Sequence, residues 1–198
     1  ARKMLEEGLV NVLAGGISRS AQDYVCRKLR LVGTARSIET LASLLLDQET
    51  SHIARYALAR IPDEKATKAL RDALPHVSNK LKPGIIGSLG VRRDTKSIEA
   101  ISNLLDDSDS QIAQAAAYSL GLIGTSASAT SLSRFAKKAP ANMKMPVADA
   151  SLICAERLLA DGKKTEAIAL YKELRGDDQP KQVKVAATKG MLIAAAQK

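Results

Sequence analysis

Aromatic side chains are scarce in this chain of 198 residues, which has no Trp, one Phe and four Tyr. A core of ordinary size usually contains several large rings, so this core must be built from Ala, Leu, Ile and Val. No run of 18 consecutive apolar residues occurs, which excludes a long membrane-spanning helix. The hydrophobic content of 45% is nevertheless that of a folded protein, and the length permits one or two domains.

Histidine and cysteine, the residues most used for metal binding and nucleophilic catalysis, are nearly missing. His52 and His76 do not stand in a His-x-x-x-His or His-Glu spacing, so no metal site and no cofactor are predicted. Cys26 lies at the repeat position equivalent to Arg55, Ile86 and Ala117, and Cys154 follows Leu152 and Ile153 on a predicted helix. We expect both to be buried small hydrophobic side chains. We predict no catalytic residue and therefore a protein that is not an enzyme.

The amino terminus and the charge leave localisation open. The chain opens Ala1-Arg2-Lys3 without a visible secretory signal, which is compatible with an upstream segment outside this sequence. A cytoplasmic protein and an exported module are both consistent with these features.

A net charge of +9 raises the question of nucleic-acid binding. The excess is spread thinly, and residues 101–150 carry four basic and four acidic groups. A duplex-binding surface needs a continuous basic stripe, and a single-strand binder needs stacking rings. Nucleic acid is therefore the alternative partner, and a protein is the leading one. The densest cluster could form a basic rim, and it includes Lys80, Lys82, Arg92 and Arg93.

A repeat of about thirty residues organises the chain. Four segments of eighteen residues superpose without gaps, starting at Lys28, Ala57, Ser88 and Ser119. Each segment crosses a break that usually carries Gly or Pro and is followed by Thr or Asp, the residues that end one helix and cap the next. The apolar spacing on both sides of each break is helical. Each unit is therefore predicted to be a pair of short antiparallel helices.

Extending this register along the chain predicts the whole architecture. The expected pairs are 3–14 with 18–32, then 34–61, 63–90, 94–123, 126–160 and 163–197. Repeats are regular over about 18–138, whereas 143–198 is less regular and includes a longer helix, Val147 to Leu159. Because neither helix of a pair can bury its apolar stripe alone, the pairs must stack. We predict an all-α, right-handed α-solenoid of about five to six helix pairs in one domain, 1–198.

The most regular segment, residues 109–124, reads DSQIAQAAAYSLGLIG. It resembles the HEAT-like repeat of phycobilisome lyase subunits, which follows D-x-x-V-R-x-A-A-A-x-A-L-G-x-I-G; the Arg of that pattern is Ala113 here. The resemblance implies a curved stack whose second helices line a concave, macromolecule-binding face. The net charge and the basic cluster leave one alternative open, a nucleic-acid-binding HEAT-like protein or DNA-glycosylase-like enzyme, although the Trp of those enzymes is absent. The resemblance implies a further alternative, a pigment or cofactor lyase or chaperone subunit.

Helical periodicity selects a candidate surface for the partner. If the Leu shared by the four segments is buried, the residues two and six positions before it point outward on each second helix. Tyr56 and Tyr118 then occupy equivalent outward positions, and each could anchor a partner or cover a neighbouring repeat. We predict a non-enzymatic protein-binding scaffold. Its candidate binding residues are Arg27, His52, Tyr56, Gln114 and Tyr118.

Three glycines close together mark the segment 82–90 as unusual: Gly84, Gly87 and Gly90. The other repeats have side chains at the positions of Gly84 and Gly87, so the repeat geometry is not expected to require glycine there. Interior glycines weaken a helix, and we predict a hinge or a surface dent in this pair.

Overall fold

The computed structural model describes residues 1–196, and all of the regular secondary structure within them is helical. The all-α class is thus confirmed, while residue 197 of the predicted last pair and the end of the predicted domain lie outside the described residues. The helices are α1 (Arg2–Ala14), α2 (Arg19–Val32), α3 (Ala35–Ser43), α4 (Ser51–Leu58), α5 (Glu64–Ala73), α6 (Lys82–Val91), α7 (Ile98–Asn103), α8 (Ser110–Ile123), α9 (Ser126–Ala136), α10 (Ala141–Ala160), α11 (Lys164–Glu173) and α12 (Lys181–Ala196). None of these helices combines the length and the apolar character needed to cross a bilayer.

Side-chain caps start several helices where the sequence predicts them. Thr34, Asp63, Asp109 and Thr125 each accept a hydrogen bond from a backbone N–H two or three residues later, at 2.8–3.4 Å. Asp94 behaves differently, because a 3-10 turn rather than an α-helix follows it. The first helix of the predicted pair 94–123 is therefore shorter than expected.

The leucines that define the repeat register are core residues. Leu29, Leu58, Leu89 and Leu120 are fully buried, as the superposition predicts. A second equivalent set follows the same rule except at its last member, since Ala136 is exposed at the end of α9. Leucine at these positions places the apolar stripe of each helix against its neighbours.

The chain divides into two compact units, Ala1–Arg92 and the part from Arg93 onward. In the first unit α1, α3 and α5 pack side by side in one row, and α2, α4 and α6 form a second row. The two helices of each pair, α1 with α2, α3 with α4 and α5 with α6, contact each other across the two rows. In the second unit α10 is central and contacts α8, α9, α11 and α12. The single domain over 1–198 stays a prediction.

The helix α10 is longer than predicted and contains Pro146 in its interior. It approaches α8 closely at Gly121, where a Cβ atom would lie 2.6 Å from the carbonyl oxygen of Ala150. Glycine at position 121 is therefore required by the contact between the two helices.

A buried carboxylate joins α1 to the start of α3. Glu6 is only 2% exposed, and its Oε1 accepts hydrogen bonds from Thr34 N at 2.6 Å, Thr34 Oγ1 at 2.9 Å and Ser37 Oγ at 2.5 Å. Burial alone would raise its pKa, but these hydrogen bonds and the charge of Arg36 outweigh it and lower the pKa of Glu6. Glu6 thus supplies from another helix the carboxylate of a capping box.

Two equivalent breaks use a left-handed residue to end a helix. Gly124 follows α8 with φ 65°, and Arg93 follows α6 with φ 52°. Glycine adopts this conformation at no steric cost, whereas a residue with a Cβ does so less readily. Space is limiting as well at Gly124, since a Cβ atom there would overlap the side chain of Arg157.

Candidate functional site

Three predicted binding residues lie exposed on the second helices of the first unit: Arg27 on α2, and His52 and Tyr56 on α4. The Tyr56 ring is 45% exposed. The guanidinium carbon of Arg30 lies 4.4 Å from the ring centroid, and Arg30 Nη1 donates to Tyr56 Oη at 2.6 Å. Tyr56 therefore contacts Arg30 of α2 while nearly half of its surface stays exposed; its role as an anchor for a partner stays a prediction.

The remaining polar groups of this surface are also linked between helices. Arg19 Nη2 donates to His52 Nε2 at 3.1 Å, and Arg19 Nε donates to the carbonyl oxygen of Glu49 at 2.7 Å. Arg27 pairs with Asp23 of its own helix at 2.8 Å. We call the exposed surface made by Arg19, Arg27, Arg30, His52 and Tyr56 the Tyr56 face.

Arg55 contributes a cation beside this face that sequence reasoning missed. Its Nη1 donates to the carbonyl oxygen of Gly84 at 2.9 Å, while its buried Nε has no hydrogen-bond partner. Burial lowers the pKa of Arg55. A Cβ atom at position 84 would overlap the guanidinium group, so an alanine there requires the end of the Arg55 side chain to move. Alignment of the breaks does not reveal that a neighbouring arginine fills this space.

Gly87 behaves as the sequence predicts. A Cβ atom built there would meet nothing within 4 Å, and the residue lies inside α6 at intermediate exposure. The hinge and the surface dent both stay predictions. Pro83 is in the first turn of α6, the part of a helix that tolerates proline.

The other two predicted binding residues belong to the second unit. Gln114 and Tyr118 are exposed on α8, and Tyr118 is 52% exposed. The predicted outward positions are thus exposed at all five residues, whereas their role in binding stays a prediction.

The predicted basic rim is only partly a free surface. Lys80 is exposed and Lys82 is half-buried. Arg92, in contrast, has its guanidinium group committed to the first unit: Nη1 and Nη2 donate to the carbonyl oxygens of Leu58, Ala59, Ile61 and Asp63 at 2.8–3.3 Å. Its Nε donates to Thr67 Oγ1 at 2.7 Å. Arg92 therefore joins the end of α4 to α5.

Arg93 is also engaged, within the second unit. Its Nε donates to the carbonyl oxygen of Ile123 at 3.1 Å, and both terminal nitrogens bind the carboxylate of Asp161. The hydrogen bond from Arg93 is the largest cause that lowers the pKa of Asp161. Both arginines of the predicted basic rim are thus bound to acceptors of the chain, because backbone carbonyl oxygens near helix ends attract such groups.

Nucleophilic and metal-binding groups do not converge in the part of the chain that the structure describes. No cluster of three or more His, Cys, Asp or Glu side chains suited to a metal occurs among residues 1–196. Both cysteines are fully buried, as expected. Burial raises the pKa of Cys26 to about 11 and that of Cys154 to about 12, so neither thiol is ionised at neutral pH.

A groove of about 480 Å³ lies between α9 and α11 in the second unit. Two hydrogen bonds span it, from Ser126 Oγ to Glu166 at 2.9 Å and from Ser133 Oγ to Glu173 at 2.6 Å. Its other lining residues include Ala129 and further small side chains. Each of the two serine hydroxyl groups donates to a carboxylate, an arrangement that fastens one helix to the other.

Comparisons with known proteins bear on the fold. No protein-family model matches the sequence, and a search of curated proteins gave no match. The chain is similar to a crystal structure of an engineered protein from the Northeast Structural Genomics Consortium, with a TM-score of 0.58 and 17% identity over 97% of this chain and 96% of that chain. At this identity the likeness concerns the fold alone.

Proposed function

We propose that the protein is a non-enzymatic scaffold that binds another protein on the second helices of a stack of HEAT-like helix pairs. In this proposal the pairs form a right-handed solenoid and the second helices line its concave side. The observation that supports it best is the Tyr56 face, where an amphipathic side chain that is nearly half exposed contacts the guanidinium group of Arg30. Tyr and Arg are the side chains most enriched at binding hot spots.

The charge of the Tyr56 face indicates the chemistry of its partner. Arg19 and Arg30 contribute positive charge, whereas the charge of Arg27 is compensated by its pairing with Asp23. An acidic segment would complement these cations, and an apolar side chain within it would cover the exposed part of the Tyr56 ring. Complementary charge raises the rate and the specificity of association.

Selection from a displayed library of random peptides tests this proposal. Peptides enriched on the wild-type protein should be acidic, and Tyr56→Ala should weaken their binding at least tenfold. Tyr24→Ala is the matched control, because Tyr24 is also exposed on a second helix and also has a cation over its ring, Lys28 at 5.1 Å. Enrichment of basic or uncharged peptides, or equal losses with both variants, would contradict the proposal.

Nucleic-acid binding, the alternative, is best tested with Lys80→Glu and Lys82→Glu. Substitution of Arg92 would not be informative, because that side chain holds α4 and α5 together. We expect weak binding to mixed duplex and single-stranded DNA that disappears at physiological salt. Micromolar binding that resists this salt and is lost in the lysine variants would favour the alternative.

A further inference from the structure

A pocket of about 440 Å³ lies in the second unit, where α10, α11 and α12 meet. Pockets of this size are typical of small-molecule sites. Its apolar wall includes Leu159 near the end of α10 and Ile193 of α12. Leu159 is buried, whereas Ile193 is 47% exposed, so a ligand in the pocket would cover apolar surface that otherwise faces solvent. We call this pocket the α12 pocket.

Tyr171 of α11 brings a hydroxyl group to the wall of the α12 pocket. The side chain is only 2% exposed, and its ring lies against α12 at Gly190, where a Cβ atom would overlap the ring. Glycine at position 190 therefore leaves room for the ring. Within residues 1–196 no group forms a hydrogen bond with Tyr171 Oη. Because a buried tyrosine usually places its hydroxyl group on a partner, this one is available to a ligand.

The hydroxyl group of Tyr171 is a hydrogen-bond donor at neutral pH. Burial and, to a smaller extent, the charge of Glu156 raise the pKa of Tyr171 above the ordinary value for tyrosine. The phenol therefore stays protonated and can donate one hydrogen bond to an oxygen atom of a ligand. A negatively charged oxygen is the stronger acceptor for such a bond.

Two opposite charges flank the pocket. Glu156 of α10 and Lys189 of α12 both line it, and both side chains are exposed. No ion pair joins these two groups in the part of the chain that the structure describes. The pocket thus offers one carboxylate, one ammonium group and one hydroxyl group beside apolar surface. One charge of each sign favours a ligand that itself carries both signs.

We propose that the α12 pocket binds an apolar α-amino acid as a free zwitterion. Its carboxylate accepts hydrogen bonds from Lys189 and Tyr171, and its ammonium group donates to Glu156. The apolar side chain of the ligand lies against Leu159 and Ile193. Each polar group of the pocket then has a complementary partner, and both charges of the ligand are neutralised.

Ligands with only one charge fit this set of groups less well. A simple carboxylic acid would bind Lys189 and leave Glu156 unpaired close to its own negative charge. An amine would bind Glu156 and leave Lys189 and the Tyr171 hydroxyl group without an acceptor. Sites discriminate strongly against ligands that leave their polar groups unpaired.

A titration followed by nuclear magnetic resonance tests the proposal, with L-leucine and L-phenylalanine as probes and the backbone amides of Gly190 and Ile193 as reporters. We expect saturable shifts with a dissociation constant in the submillimolar to millimolar range, because so small a ligand makes few contacts. Isocaproate, which lacks the ammonium group of leucine, and isoamylamine, which lacks its carboxylate, should each bind at least tenfold more weakly than L-leucine.

Tyr171→Phe removes only the hydroxyl group and should weaken binding of L-leucine at least fivefold. The midpoint of urea unfolding without ligand should not fall in this variant, because no hydrogen bond within the protein is lost. The matched control is Tyr118→Phe, which makes the same change at an exposed ring of α8 and should leave binding unchanged. Lys189→Gln should weaken binding at least fivefold, whereas Lys181→Gln, on the same helix but outside the pocket, should not.

Absence of saturable shifts with both amino acids would overturn the proposal, and so would binding of isocaproate or isoamylamine as tight as that of L-leucine. Equal effects of Tyr171→Phe and Tyr118→Phe on binding would overturn it as well. A loss of stability in Tyr171→Phe without ligand would do the same, because the hydroxyl group would then have a partner within the folded protein. The α12 pocket belongs to the second unit and the Tyr56 face to the first, so the two proposals fail separately.

Discussion

Glu6 shows how one residue can carry charge into an otherwise apolar core. A buried carboxylate is costly unless hydrogen bonds compensate it, and here Thr34 and Ser37 supply those bonds. The sequence offers no signal for this role, because Glu6 precedes the helix it caps by more than twenty residues. The neighbouring Glu7 forms an exposed pair with Arg36 and provides a comparison of the same charge on the same helix.

We expect Glu6→Gln to lower the free energy of unfolding by about 1–3 kcal/mol at pH 7, because the amide cannot reproduce all the hydrogen bonds of the carboxylate. The folded-state pKa of Glu6 is lowered, so its contribution is present above the unfolded pKa and is lost as the pH falls through the folded pKa. The difference between wild type and variant should therefore shrink as the pH falls below the ordinary pKa of a Glu side chain, about 4.3. Urea unfolding at several pH values measures it.

The control for this prediction is Glu7→Gln, which should change stability by no more than about 1 kcal/mol at any pH. An equal loss in both variants would mean that net charge, and not the capping contacts of Glu6, is responsible.

Three glycine-to-alanine substitutions should change stability differently, because the three glycines differ in the space around them and in their backbone conformation. Gly87→Ala should raise the free energy of unfolding by about 0.5–1 kcal/mol, since the position is helical and open. Gly84→Ala should lower it by about 1–3 kcal/mol, because the methyl group displaces Arg55. Gly124→Ala should also lower it, through the positive φ and the contact with Arg157. Thermal and urea denaturation rank the three, and a loss of stability in Gly87→Ala would contradict the outward position assigned to it.

At the scale of elements, an arginine after the end of one helix connects two earlier ones. Arg92 follows α6 and binds carbonyl oxygens from the end of α4 and from the loop before α5. The last carbonyl groups of a helix have no partner within it, and a guanidinium group can satisfy several of them at once. This explains why a residue at the break, rather than in either apolar stripe, holds neighbouring pairs in place.

We expect Arg92→Lys to lower the free energy of unfolding by about 1.5–3 kcal/mol, because an ammonium group cannot reach the same set of acceptors and hydrogen bonds from charged donors are the stronger ones. Lys80→Met, which removes an exposed cation nearby in sequence, should change it by less than about 0.5 kcal/mol. Urea denaturation of the two variants compares them. An Arg92→Lys protein as stable as the wild type would show that a positive charge alone fulfils the role of Arg92.

For the whole molecule, the two buried cysteines provide one reporter in each compact unit. Cys26 belongs to the first unit and Cys154 to the second. With pKa values raised to about 11 and about 12, both thiols should react very slowly with a disulfide reagent at pH 8 while the protein is folded. Each becomes reactive only when its own surroundings open.

We expect Arg92→Lys to expose Cys26 at a lower urea concentration and to shift Cys154 much less, since the hydrogen bonds that the substitution removes lie within the first unit. Variants in which one cysteine is replaced by Ala allow each thiol to be followed alone. Equal shifts of both thiols would show that the two units unfold as one cooperative structure.

The sequence by itself determined the helical class, the breaks that separate the helix pairs, the buried leucines and the exposure of Arg27, His52, Tyr56, Gln114 and Tyr118. These features follow from local rules: apolar spacing, capping residues and the length of a repeat. Only the tertiary structure decided the roles of Glu6, Arg55 and Arg92. Their partners lie 25 to 34 residues away, where a long side chain meets backbone groups of another repeat. Such contacts depend on the packing distance between helices, which residue spacing along the chain does not encode.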